Sequence, residues 1–287
     1  MRKRNQRPIC RLKRFMTLAL ASIMLCTVLI PCCETKAASK TDKWGVFIGA
    51  TTKKLPNKIK KRQYKYVVID AQYYNAKDIK KLKSRKCKVY SYLSIGSIAN
   101  YRPYFNYFKK YTLGNYNNWT EERWVDVTNK SWQNFVVNNL VAGMRKKGID
   151  GVWVDNTDVY YEYPRDDIFD ALVSILRRIH KKRIPIIING GDVFVEKLME
   201  TNQHRIIKGV MQEEVLTQIA GYRNDVFKAQ TPADRLYYET YLKKVREKGL
   251  KISILEYTKK PAVRKSILKY CKKHGYGYYI CDNVMLK

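Results

Sequence analysis

Histidine is scarce in this chain, with three in 287 residues. His180, His204 and His274 fall in or just after segments of helical periodicity and make no pair at i and i+4, which excludes a zinc site built on paired imidazoles. No Gly-x-Ser-x-Gly elbow, Walker loop or Gly-x-Gly-x-x-Gly occurs, so the nucleophile turn of serine hydrolases and the phosphate cradles of nucleotide-binding proteins are missing. Neither a Ser/Gly/Pro linker nor a low-complexity tract divides the chain, which reads as one domain. Cysteine is short as well. Of seven, Cys10, Cys26, Cys32 and Cys33 lie in an N-terminal segment expected to be removed. Cys87, Cys271 and Cys281 cannot make a disulfide framework, and single buried thiols are expected over a Cys271 to Cys281 bridge.

No apolar run reaches the roughly 20 residues of a membrane span. Phe15 to Ile30 is an uncharged apolar run of sixteen, preceded by seven Arg or Lys among the first fourteen residues. Residues 1–37 therefore read as a signal peptide with cleavage after Ala37, leaving residues 38–287 as a secreted or surface-associated domain with no transmembrane segment. Leu29-Ile30-Pro31-Cys32 is similar to a lipoprotein box except at Pro31, so a lipid anchor and an uncleaved signal stay open as alternatives.

Acid is in deficit, 25 Asp and Glu against 57 Lys and Arg. Beyond residue 37 the balance is 49 basic against 24 acidic side chains, or +25, unevenly spread. Residues 38–114 carry 19 basic and 3 acidic side chains, residues 115–240 carry 17 and 18, and residues 241–287 carry 13 and 3. Lys-rich helices of this kind suit an anionic cell-wall polymer, and export disfavours nucleic acid. A solvated surface with no polyanion partner is the plainer alternative. The chain is read as a monomer that needs no cofactor and no metal.

What is present is alternation. Short β-branched or aromatic runs at residues 44–50, 64–70, 87–96, 150–156, 185–191, 208–214, 250–258 and 276–283 alternate with amphipathic segments such as 75–86, 131–147 and 167–182. Eight βα units in this length predict a single (β/α)8 barrel of the TIM type, with a doubly wound sheet as the competitor. Ser97 to Thr128 would be an elaborated loop after the third strand, with WVDVT adding a short strand.

Polar residues gather at one end of these strands: Asp70, Asp155 with Asp158, Asn189 with Gly190 and Gly191, Gln212-Glu213-Glu214, Glu256-Tyr257, and Asp282-Asn283. A single carboxylate at a strand end is usually a cap or ion-pair partner. Two from different strands, with no metal or nucleophile motif, suit glycosidic bond hydrolysis, where one protonates the leaving oxygen and the other attacks or activates water. Asp150, Asp155 and Asp158 as cation ligands form a weaker alternative. Tyr73, Tyr74, Tyr101, Tyr104, Tyr160, Tyr161, Tyr163 and Tyr257 cluster just beyond strand ends, where rings can stack on sugars or simply fill space.

With SYLSIGSIANYRPY (91–104), DGVWVDNTD (150–158), INGG (188–191) and GVMQEEV (209–215) in order, the chain resembles glycoside hydrolase family 114, the endo-α-1,4-polygalactosaminidase-like barrels. The resemblance implies a secreted enzyme cutting α-1,4-linked galactosamine or N-acetylgalactosamine polysaccharide. It implies Asp155 and Glu213 as the catalytic pair, with Asp155 as nucleophile or base and Glu213 as general acid. Glu214 replaces Glu213 if the register on that strand is off by one, and is otherwise a binding residue. Asp70, Arg102, Asp158, Asn189 and Tyr257 would bind sugar. One departure stands out: where the family carries a Glu shortly before Tyr-Arg, this chain has Ala99. A catalytically idle, polymer-binding barrel is therefore the competing expectation.

Overall fold

The computed structural model describes residues 41–50, 53–117 and 119–287. The expected signal peptide, its cleavage after Ala37 and the lipoprotein-like Cys32 lie outside the described residues.

Eight strands form one sheet: β1 (Trp44–Phe47), β2 (Tyr66–Ile69), β3 (Lys88–Ser94), β4 (Gly151–Asp155), β5 (Ile186–Asn189), β6 (Gly209–Glu213), β7 (Lys251–Tyr257) and β8 (Gly277–Cys281). They pair in chain order and in parallel. β8 returns to β1 through a parallel bridge between Tyr278 and Lys43, where the Tyr278 N–H donates to the Asp42 carbonyl at 3.0 Å. That closure makes the sheet a (β/α)8 barrel and removes the doubly wound alternative, whose edges stay open.

Period-two alternation sorts the strand residues into two cores. Trp44, Val46, Tyr66, Val68, Tyr90, Tyr92, Trp153, Ile187, Met211, Leu255 and Tyr257 fill the lumen. Val67, Ile69, Val89, Val152, Val154, Ile186, Ile188, Val210 and Ile254 face outward against the helices. Aromatic rings close the lumen, with Trp44 stacked on Tyr66 at 4.3 Å and Tyr92 against Trp153 at 6.1 Å. The barrel is thus a packed core, and open polar space is left at its rim.

The helices follow from their caps and apolar faces. Asn75 and Asp78 form a reciprocal capping box that starts Ala76–Lys83. Asp166–Lys181 buries Ile168, Leu172, Ile175, Leu176 and Ile179 at helical spacing. Pro261 opens Pro261–His274, and Gly275 ends it in the left-handed conformation. The expected helix at 131–147 spans Lys130–Lys146, with a π-helical stretch at Val136–Val141. Among the described residues no helix follows β8. The tail instead folds back, with the Gly49 N–H on the Leu286 carbonyl at 3.2 Å and the Val284 N–H on Asp225 Oδ1 at 2.7 Å.

Two excursions rise from the rim. The one after β3 is a three-stranded antiparallel sheet of Ser97–Ala99, Glu122–Val125 and Thr112–Asn115, with Glu122–Val125 central. The one after β6 is a hairpin of Thr217–Gly221 and Val226–Ala229. Glu256 anchors that hairpin. It faces outward on β7, is fully buried, and accepts from the N–H groups of Val215 (3.0 Å), Leu216 (2.9 Å) and Thr217 (2.8 Å) and from the Thr217 hydroxyl (2.6 Å). Burial pushes its carboxyl up to about 7 against the pull of these donors. A raised folded value means that the native state holds the proton more tightly, so stability from this group is full below the unfolded value and is lost as pH rises toward 7. Wild-type protein should lose about 3 kcal/mol from this source across that interval. Glu256→Gln should flatten the slope, and a melting temperature that varies with pH equally in both proteins would contradict the assignment.

Candidate functional site

Parity decides what the rim presents. On β4, Val152 and Val154 face the helices while Trp153 faces the lumen, so Asp155 faces the lumen too. The same alternation on β6, with Val210 outward and Met211 inward, turns Glu213 inward. Asn189 follows Ile187 on β5 and Tyr257 follows Leu255 on β7. Four polar side chains from four strands thus converge on one spot at the C-terminal mouth.

The geometry there centres on one amide. Asn189 Nδ2 donates to Asp155 Oδ1 at 3.2 Å and to Glu213 Oε1 at 2.5 Å. The Tyr257 hydroxyl donates to the other oxygen of Glu213, Oε2, at 2.6 Å. Asn189 and Tyr257 are buried, which fixes the donors in place. Burial and the Glu213 charge hold the Tyr257 phenol protonated, well above its ordinary value. Burial first, and then the Glu213 carboxylate, push the Asp155 carboxyl well above the usual range. Although Asp155 shows part of its surface at the mouth, its carboxyl group is desolvated. Donors at 2.5 and 2.6 Å reach Glu213, and one at 3.2 Å reaches Asp155.

The other expected residues are placed as follows. Glu214 does not join the pair: its backbone is left-handed (φ 59°), and its carboxylate accepts from the Ile219 N–H within the hairpin. Asp70 is buried and committed to Arg102, with Oδ2 2.6 Å from the guanidinium Nη1 and Oδ1 accepting from the Gln72 N–H at 3.0 Å. Arg102 lies against the rings of Tyr73, Tyr92 and Tyr101 at 5.4 to 6.0 Å. Asp158 stands in the loop after β4, close to Gly190. Among the rim tyrosines, Tyr73 and Tyr101 are exposed, whereas Tyr74 and Tyr160 are packed in the core. Asp150 holds the opposite end of the barrel, taking the Val89 N–H at 2.8 Å and Lys83 at 2.7 Å. Asp282 is exposed beyond β8. No group of His, Cys, Asp and Glu among the described residues is arranged to hold a metal ion. Cys87, Cys271 and Cys281 are buried free thiols.

Two glycines make the motifs legible. Gly191 has φ 62°, and a β-carbon there would stand 1.9 Å from Thr157 Oγ1, so the INGG turn requires glycine to pack on the loop after β4. A β-carbon on Gly96 would meet the Asn156 carbonyl oxygen at 1.9 Å. Asn156 itself is left-handed (φ 64°) and donates through Nδ2 to Ser94 Oγ (3.0 Å) and Ser97 Oγ (2.7 Å), tying the residue after Asp155 to the excursion.

Sequence reasoning missed what the excursions bring. Glu122 receives a hydrogen bond from the Ser97 hydroxyl, and Tyr116 stacks on Trp124 at 4.1 Å. Burial, then Asp158 and Asp155, raise the Tyr116 phenol well above its ordinary value. Trp119 meets Tyr222 of the hairpin edge-on at 5.8 Å, and both pack on the lumen cluster, so the two excursions touch over the mouth. The alternation of Glu122 and Trp124 was the only local signal, and it does not say which neighbour Glu122 faces.

Comparison with known proteins agrees with this architecture. The glycoside hydrolase domain of PelA from Pseudomonas aeruginosa superposes with a TM-score of 0.69 at 18% identity, over 86% of this chain and 96% of that one. Ega3 from Aspergillus fumigatus, solved as a complex with galactosamine, gives 0.66 at 15% identity over 86% and 92%. An α-galactosidase from Thermus thermophilus gives 0.57 at 10% identity over 83% and 57%. At these identities the likeness concerns the fold. No curated protein sequence matches the chain. Residues 32–282, nearly the whole barrel, match glycoside hydrolase family GH114, and the chain belongs to that family.

Proposed function

We propose that this chain is a secreted hydrolase of α-1,4-linked galactosamine or N-acetylgalactosamine polysaccharide, with Asp155 and Glu213 as its catalytic pair. The observation that carries the reading is the single Asn189 amide hydrogen-bonded to both carboxylates, which holds two acids of different strands against one small volume. Galactosamine in the Ega3 complex supports the substrate class.

The shared donor keeps the nearest oxygens of the pair within about 6 Å, and we read the pair as a retaining one, whose carboxyl groups stand ~5–5.5 Å apart. Asp155 attacks the anomeric carbon and Glu213 protonates the leaving oxygen, then Glu213 takes a proton from the water that releases the sugar. Asp155 must be ionised when it attacks, so its raised carboxyl has to give up its proton as substrate binds. Positive charge developing on the ring beside Asp155 stabilises its ionised form. Asn189 and Tyr257 orient Glu213, Asp158 and Arg102 bind sugar, Asp70 acts by fixing Arg102, and Glu214 shapes the hairpin beside the site.

Digestion of a partly N-acetylated α-1,4-galactosamine polymer by the purified protein, followed by proton NMR of the first product, tests this. Oligosaccharides with the α-anomer formed first are expected. Binding without release of any product from amino-sugar polymers would leave the idle barrel instead.

A further surface reading concerns the Lys-rich helices. Closure of β8 on β1 sets strands from the two basic ends of the sequence side by side. We assign the Lys-rich helices that flank them, Pro261–His274 and Ala76–Lys83, to an anionic cell-wall polymer, and salt-dependent retention on such a polymer checks it.

A further inference from the structure

The excursion after β3 carries a carboxylate that the hydrolytic pair does not use. Glu122 lies directly opposite Ala99 in the antiparallel pair, and opposed side chains on one face have β-carbons about 4.5–5.5 Å apart. Ala99 is only a methyl group, so the space beside the Glu122 carboxylate is left open. Glu122 lines a recess with Gln72, Tyr92, Ser97, Ala99 and Arg102 that has room for about a single water-sized group. One carboxylate oxygen, Oε2, accepts from the Ser97 hydroxyl, which leaves Oε1 as the oxygen to offer a ligand. The cation in the recess is already taken, since Arg102 is paired with Asp70 at 2.6 Å.

A second observation points the same way. Asn189 is 5% exposed, and its Nδ2 is spent on Asp155 and Glu213 while its Oδ1 has no partner. Asn189 Oδ1 is a buried acceptor at the Asp155–Glu213 pair, which a hydroxyl or ammonium group of a ligand can serve. The Glu122 charge also reaches the reacting centre, since it contributes to the upward push on Asp155.

Resting on the hydrolase reading above, we propose that Glu122 is a specificity-determining residue whose Oε1 receives the free ammonium of a sugar unit beside the cleaved bond, so that the site selects the unacetylated amino sugar over its N-acetyl form. Size and charge both act. An ammonium fits a one-water recess and pairs with the carboxylate, whereas an acetamido group is too large and leaves a desolvated charge uncompensated. The local preference also answers the long-range problem that the +25 of residues 38–287 poses for a cationic polymer, because screening confines the repulsion of the outer lysines to roughly 8 Å.

Glu122→Gln keeps the shape and the Ser97 contact while removing the charge. The test compares kcat/KM on a fully unacetylated and a fully N-acetylated α-1,4-galactosamine polymer, for wild type, Glu122→Gln and Glu122→Asp, with calorimetric binding of galactosamine and N-acetylgalactosamine alongside. The ratio of the two kcat/KM values should fall about ten- to a hundredfold in Glu122→Gln, as expected for loss of a charge-assisted hydrogen bond, and should recover in part in Glu122→Asp. A purely structural role would lower both substrates together and leave the ratio unmoved, and that result overturns the proposal. Wild-type indifference to acetylation overturns it as well. Glu122-dependent binding of galactosamine without any cleavage would instead sink the hydrolase reading and keep the ammonium site.

Discussion

Asp155→Asn and Glu213→Gln are each expected to lower kcat on the galactosamine polymer by about a hundred- to ten-thousandfold, the range for loss of a positioned acid, base or nucleophile. Neither variant should unfold. Asp155 is a desolvated carboxyl held near a second one, so neutralising either removes repulsion from the native state, and the melting temperature should stay level or rise. The pH profile separates the roles. Asp155 must be ionised to attack, and its folded value is raised, so kcat/KM should climb with pH on the acid side as Asp155 loses its proton. Glu213 is one cause of that raised value. In Glu213→Gln the residual activity should therefore have its acidic limb displaced to lower pH. A limb that stays in place would remove the electrostatic link between the two acids, and full activity in both variants would remove the pair.

The second large effect is structural. Asp70 and Arg102 are both nearly excluded from solvent and meet at 2.6 Å. Removing one partner of such a pair strands the other charge in a low-dielectric site and typically costs about 3–5 kcal/mol. Asp70→Ala should cost an amount in that range in urea denaturation and should also release the first turn of Ala71–Tyr73, whose Gln72 N–H it caps. Replacing both members at once, as Asp70→Asn with Arg102→Met, should recover part of the loss, because no buried charge then remains unpaired. A double variant as unstable as Asp70→Ala would show that the pair matters through packing alone. Because Arg102 lies against Tyr73, Tyr92 and Tyr101, sugar binding should weaken in Asp70→Ala even where the barrel stays folded.

Much of this was legible beforehand. All eight strands were, because each is a short apolar run whose alternation survives without knowledge of its neighbours, and β4 through β7 end where an acid, amide or phenol interrupts that alternation. The same parity separates Glu213 from Glu214, and the left-handed turn at Glu214 completes the separation. Asp70 and Arg102 were legible as rim residues but not as partners of each other. The tyrosines were legible only as a cluster: Tyr73 and Tyr101 reach solvent while Tyr74 and Tyr160 fill the core, a difference set by the path of the loops that carry them.

Composition, hydrophobic period and strand-end chemistry are local properties, so the sequence by itself determined the barrel, its eight strands and the end at which chemistry gathers. Pairing across the excursions and closure of the ring are long-range events, governed by which loops meet and in what register. Only the tertiary structure therefore decided that one amide serves Asp155 and Glu213, that Arg102 is taken by Asp70, and that Glu122 comes to lie opposite Ala99.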